Sequence, residues 1–236
     1  MPYKSSNALV NYKLRRKEIS ALLRTVSPLD TSVRTAHLSA PVIRAGIVLL
    51  FSHIEGYIED VVQEAIDKIN NSGINVSTLP YNLRVAHCMP TIQEITKITD
   101  PEKLDEALKI LMQSNYHFWF GDTLPPIKLE TDCLTKNFAN PSYEHIDKLF
   151  RNLGIRRFFG SLYSLGFKPQ KIQAIKSTLD TLASLRHDIA HGNFSTSCSF
   201  LDLCRHIVVV NVFCEAVDAR LGLHIKSLTG TFPWVS

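Results

Sequence analysis

The chain lacks most of the features that would assign it to a class at once. Its five cysteines are odd in number and scattered, at Cys88, Cys133, Cys198, Cys204 and Cys214, with no CxxC pair among them. They argue against a disulfide framework and for a reducing compartment. The N-terminal residues hold no apolar signal core, and no segment reads as apolar enough to span a membrane. A cytoplasmic protein with no membrane partner is the expectation. No strand pair, internal repeat or low-complexity segment is legible. Charge of one sign is also scarce: the net charge is +4 and the pI about 8.8, which permits a nucleic-acid partner without demanding one. What remains, 45% hydrophobic residues over 236 positions, suffices for one sizeable core.

Helical periodicity fills that space. Residues 5–27 read as a first helix, with an apolar stripe through Leu9, Tyr12, Ile19 and Leu22 and a basic face at Arg15-Arg16-Lys17. That face is either solvated or a surface for phosphate backbone. Ser39 is placed to cap a long second helix, with Pro41 in its first turn, running to about Ile69. Residues 74–140 read as an insertion on a helical core. They include capping-box spacing from Thr91 to Glu94, a short amphipathic helix from Pro101 to Met112, and an aromatic run, Tyr116-His117-Phe118-Trp119-Phe120. The run could stack bases or anchor a loop. Asn140-Pro141 opens a further helix, and Ile155 to Gly166 forms a short one. A last, very apolar helix spans about Ser199 to Leu221 and belongs at the centre of a bundle or at a subunit contact. The fold class expected is all-α, an up-and-down helical bundle forming a single domain over residues 1–236.

The informative stretch lies at the end of the helix that begins at Pro169. Ile172, Ile175, Leu179, Leu182, Arg186 and Ile189 recur at spacings of three and four, and all but Arg186 are aliphatic. His187 and His191 follow one turn apart, and Gly192 offers a left-handed stop. In the second helix Glu55 falls on an apolar line with Phe51 and Ile58. It is either an edge carboxylate reaching water or a partner for Arg186.

Three chemistries fit. Metal-free RNA cleavage needs a base for the 2′-hydroxyl, an acid for the 5′-oxygen and a cation on the phosphorane, and His and Arg supply these at neutral pH. On one helix Arg186 and His191 point about 140° apart, so two copies facing across a twofold axis would assemble the groups better. A metal site is the second reading. His187 and His191 have zinc-pair spacing, and His187-Asp188 with His145 and Asp202 or Asp218 mimics an HD-type phosphohydrolase, which leaves Arg186 unused. The third reading is a structural ion pair of Arg186 with Glu55 and no catalysis.

Arg186-His187-Asp188-Ile189-Ala190-His191, with Gly192, resembles the R-polar-x-x-x-H signature of the HEPN superfamily. His53-Ile54-Glu55-Gly56-Tyr57 resembles the acidic motif of its MAE and RiboL-PSP-type branches. The resemblance covers roughly residues 41–70 and 140–222. It implies a HEPN-like bundle dimerising through the motif helices, with RNA as substrate and metal-independent endoribonuclease activity leaving a 2′,3′-cyclic phosphate. No cofactor is implied. Such proteins commonly act as toxins or effectors in toxin–antitoxin or antiviral defence, so an antitoxin or defence-complex partner is expected. Arg186 would bind the scissile phosphate and His191 act as acid/base. His187 fills a position where Asn is frequent, and Glu55 would orient Arg186. Some HEPN domains are inert binding or scaffold modules, which is the alternative.

Overall fold

The computed structural model describes residues 4–26, 36–120, 128–136, 138–193 and 198–234. Among them the regular secondary structure is helical, with no strand. In chain order the helices are α1 (Asn7–Val26), α2 (Ala36–Asn70), α3 (Tyr81–Ile95), α4 (Pro101–Phe120), α5 (Asp132–Thr135), α6 (Tyr143–Asn152), α7 (Phe158–Ser161), α8 (Pro169–Ala190) and α9 (Phe200–Thr229).

The fold is built around α2. Ile43, Ile47, Leu50, Ile54, Tyr57, Val61 and Ala65 are buried, as their spacing requires. The neighbouring line of Phe51, Ile58, Val62 and Ile66 is buried as well. A helix apolar over two adjoining faces must be covered on both, and α1, α8 and α9 pack around it. This corrects one expectation. Leu38–Asn70 is long and apolar enough, by length and composition, to cross a membrane; here that apolarity serves the centre of the bundle.

The basic run of α1 turns out to fasten the bundle. Arg15 pairs with Asp60 of α2 at 3.3 Å, and the Arg16 guanidinium donates to the Asn211 side-chain oxygen of α9 at 2.8 Å. Gly56 allows the first of these, since a Cβ there would lie 2.9 Å from the Arg15 guanidinium. The start of α1 is held by two carboxylates. Glu64 accepts from the backbone N–H groups of Asn7 and Ala8, while the fully buried Asp218 accepts from the N–H and hydroxyl of Ser6. Free N–H groups and the positive end of the helix dipole make this a place where buried carboxylate charge is stabilised.

Several boundaries differ from the sequence reading. Ser39 does not cap α2: the helix already runs from Ala36, so Ser39 is buried within it and Pro41 sits inside it. Thr91 and Glu94 start no helix either; they are exposed in the last turns of α3. The helix expected to stop at Met112 continues through the aromatic run to Phe120, because Phe118 packs into the core and holds its final turn in register. The last helix begins at its capping box, Ser199 with Asp202, and runs beyond Leu221 to Thr229 because Ile225 remains in the core.

Burial also sets a pH dependence. His53, His87, His206 and His224 are all held below the ordinary imidazole value of 6.5, in each case chiefly by desolvation. The folded chain therefore binds protons less readily than the unfolded chain below that value. Their stabilising contribution is complete above the unfolded pKa and is lost as pH falls through the folded ones. Glu55, Glu59 and Glu64 are raised by burial and act in the opposite sense closer to their ordinary value of 4.5. The urea midpoint is expected to drop between about pH 7 and about pH 5.5. A midpoint that holds or rises over that window would show that these imidazoles titrate freely in the fold.

Candidate functional site

The site helix α8 buries Ile172, Ile175, Leu179 and Leu182, then rises out of the core over its last two turns. Ile189 is half-buried there, and Arg186 is exposed. The Arg on a buried seam expected from periodicity is thus corrected: the seam surfaces before it reaches Arg186. The guanidinium lies over the face of Phe51 on α2, 5.8 Å from the ring centroid. A cation over an aromatic face is attracted by the ring quadrupole, and the ring limits where the guanidinium can swing. Phe51 was missed as a site residue, although it stands one turn before Glu55 on the same face.

Glu55 is half-buried on α2 and feels the Arg186 charge through space. The two do not close to a contact ion pair. Desolvation holds the Glu55 carboxyl above its usual value, and the Arg186 charge lowers it in part. Next along α2, Glu59 is raised by burial, then by Glu55 and Asp60. The rest of the His53 to Tyr57 motif faces elsewhere. His53 is buried with its Nε2 3.9 Å from Glu18 of α1, and the Tyr57 hydroxyl donates to the Cys214 carbonyl of α9 at 2.7 Å. Of that motif, Glu55 is the residue turned toward Arg186.

His187 and His191 are both exposed, and their rings touch, with centroids 4.3 Å apart. Their placement is dictated by how α8 ends. His191 is the C-cap, and its N–H bonds the His187 carbonyl. The Gly192 N–H bonds the Ile189 carbonyl at 3.1 Å and the Asn193 N–H bonds the Asp188 carbonyl at 2.9 Å. That pair of bonds is a Schellman stop, and it needs the left-handed backbone of Gly192, at φ 74°. Open space surrounds a Cβ at that glycine, so Gly192→Ala meets conformational strain alone. The expected cost is about 1 kcal/mol of stability by urea unfolding. A larger proportional loss of site function should accompany it, because the neighbouring His191 is displaced. Unchanged stability would mean that the helix end is not held by this cap.

The residues of the metal reading are dispersed among structural roles. Asp202 closes the α9 capping box, Asp218 holds Ser6, and His145 bonds Ser142 and the Asn140 carbonyl. None of the three is brought to His187.

Two clefts open elsewhere on the surface, and neither is lined by Arg186, His187 or His191. One, of about 680 Å³, is acidic, with Glu59, Asp60, Glu130 and Asp132 in its walls. The other, of about 590 Å³, is lined by Lys148, Arg151, Arg157 and Lys176 beside Tyr143 and Phe159, with Glu144 and Asp147 as its acidic members. Lys176 belongs to α8, ten residues before Arg186, a rise of roughly 15 Å. Arg186, His187 and His191 thus stand on one exposed helix end, with a basic cleft farther back on the same helix.

Compared with known proteins, residues 10–222 match a family model described as RiboL-PSP-HEPN. No curated protein and no solved structure matches the chain.

Proposed function

We propose, from the premise that this chain belongs to the RiboL-PSP-HEPN family, that it is a metal-independent endoribonuclease whose site is completed by a second copy of the chain. Family membership by itself makes it a HEPN-type nuclease or RNA-related module. The finer reading is carried by one observation. Arg186, His187 and His191 are all exposed at the surfacing end of α8, and a half-buried Glu55 lies within electrostatic reach of the Arg.

In this reading the 2′-hydroxyl of RNA loses its proton to an imidazole and attacks the adjacent phosphorus. The bond from phosphorus to the 5′-oxygen breaks, and that oxygen takes a proton from a second imidazole. The products are a 2′,3′-cyclic phosphate and a 5′-hydroxyl. His191 serves as acid or base, and His187, in ring contact with it, positions it or shares its proton. Arg186 binds the phosphate and neutralises charge as the phosphorane forms. The Phe51 ring and the Glu55 charge both attract the guanidinium and favour its lying over α2. Within one chain Arg186 and His191 leave the helix about 140° apart. A twofold pairing of α8 ends would place an Arg and a His from each copy in one groove. The basic cleft that Lys176 of α8 lines together with Lys148, Arg151 and Arg157 offers RNA backbone a further place to bind. A toxin or defence effector acting in the cytoplasm, held by an antitoxin or a larger complex, is the setting this proposal includes.

The test is cleavage of a labelled RNA by the purified chain in EDTA, with the product ends identified. Metal-independent cleavage leaving cyclic phosphate is the expected result. An activity that appears only with added metal would overturn the mechanism. RNA binding without cleavage under every condition would favour the inert module.

A further inference from the structure

Helix α4 is under-packed. Of its 20 residues Phe118 alone is buried, and its neighbours are α3 and the 3₁₀ turn at Val76–Thr78. A helix of this length is marginal in water without a packed face. Yet its outward side is not polar. Leu108, Met112, Tyr116, Trp119 and Phe120 leave 41, 69, 56, 42 and 74% of their surface in water. Their spacings of three and four put them on one stripe. Helix α3 carries a matching stripe, Tyr81, Val85, Met89 and Ile92, exposed by 56, 41, 39 and 36%.

The two stripes face the same way. On α3 the residues meeting α4 are Arg84 and Cys88, bonded to Phe118 and Asn115, and the exposed stripe lies about a quarter turn from them. On α4 the stripe lies about a quarter turn from Asn115 and Phe118, in the opposite rotational sense as seen along α3. Because α4 returns along α3 after a short connection, the opposite senses bring both stripes to one side of the hairpin. His87 of α3, opposite its stripe, accepts from the Glu130 N–H on the side toward the body of the protein.

We propose that this face is an interface between two copies of the chain, in which the α3–α4 hairpins stack about a twofold axis as a four-helix layer. The composition is that of an interface centre, rich in Tyr, Trp, Phe and Met, and the Lys and Arg side chains within the span of the stripes are Arg84 and Lys109. With Lys109 paired to Asp105 and Arg84 turned to α4, that centre offers RNA or a charged peptide little free charge. At these exposures the nine side chains present on the order of 800 Å², the share one partner gives to a standard interface. The stripes have similar lengths, roughly 16 and 18 Å, so a second hairpin covers them end to end. Ion pairs Glu94–Lys97 and Asp105–Lys109 supply polar positions on the same helices. The Arg84 guanidinium, 5.1 Å over the Trp119 ring, fixes one aromatic anchor in advance of association.

The experiment is the mass of the full chain by sedimentation, wild type beside the double variant Met112→Glu, Tyr116→Glu. Both side chains are mostly exposed in the single copy, so helicity by circular dichroism should be retained. Tyr163→Glu, which alters a similarly exposed aromatic outside the hairpin, is the control. The expected result is a wild-type assembly whose mass halves in the double variant and not in the control. Amide exchange across residues 81–92 and 108–120 should quicken with the same substitutions. A wild type that stays monomeric at about 50 μM, where an interface of this area should be populated, would overturn the proposal. So would a mass that the double variant leaves unchanged, or a monomer whose hairpin is covered only by a different protein.

Discussion

His191→Ala is expected to lower RNA cleavage in EDTA by about 10²- to 10⁴-fold, with folding intact. The side chain is exposed, and its ring lies against that of His187. The helix-ending bonds at this position come from backbone, which alanine keeps. The loss would therefore report chemistry rather than unfolding. Arg186→Ala should fall by a similar amount, about 10²- to 10³-fold, through loss of charge on the phosphorane. Arg186→Lys should recover only part of it, because an ammonium lacks the planar fork and stacks less well on Phe51. Mixing the two alanine variants separates the possible architectures. In a shared groove, the Arg of one chain and the His of the other form one complete set, and activity returns in part. In a site built within one chain, no mixture contains a complete set and activity stays lost. Wild-type rates in both single variants would remove these residues from the mechanism.

The largest stability effect is expected at Asp218, far from the motif. Asp218→Ala should cost about 3 kcal/mol or more, read as a lower urea midpoint with an unchanged slope. The carboxylate is fully buried and accepts from both the N–H and the hydroxyl of Ser6. Ser6 in turn accepts from the Leu9 N–H, so one acid organises the first turn of α1. Alanine leaves those donors buried without their acceptor. Asp218→Asn keeps an acceptor oxygen and should cost markedly less. Equal losses for the two variants would mean that charge at the helix start matters more than the hydrogen bonds.

The fold class and the placement of the candidate Arg/His cluster at a helix end were legible because both are local. The apolar spacing along α2, α8 and α9 specifies helices and the faces they bury, whatever they pack against. The Arg186 to His191 spacing and the Gly192 stop likewise need nothing beyond one helix end, and they carried the family resemblance that the match over residues 10–222 bears out. The ends of helices were less legible. Thr91 and Glu94 have the residues of a start but lie at a finish, and α4 runs on because Phe118 finds a place in the core.

Periodicity says which residues share a face, but not which distant face they meet. That Arg186 surfaces over Phe51, with Glu55 within reach and His53 turned away, follows from how α8 crosses α2. That Asp218 holds a residue 212 positions earlier, rather than joining His187 in a metal set, follows from where α9 ends up against α1. The sequence by itself determined an all-helical chain with an Arg/His helix end. Tertiary packing alone decided which of those side chains stay in water, because exposure depends on what the rest of the chain brings alongside.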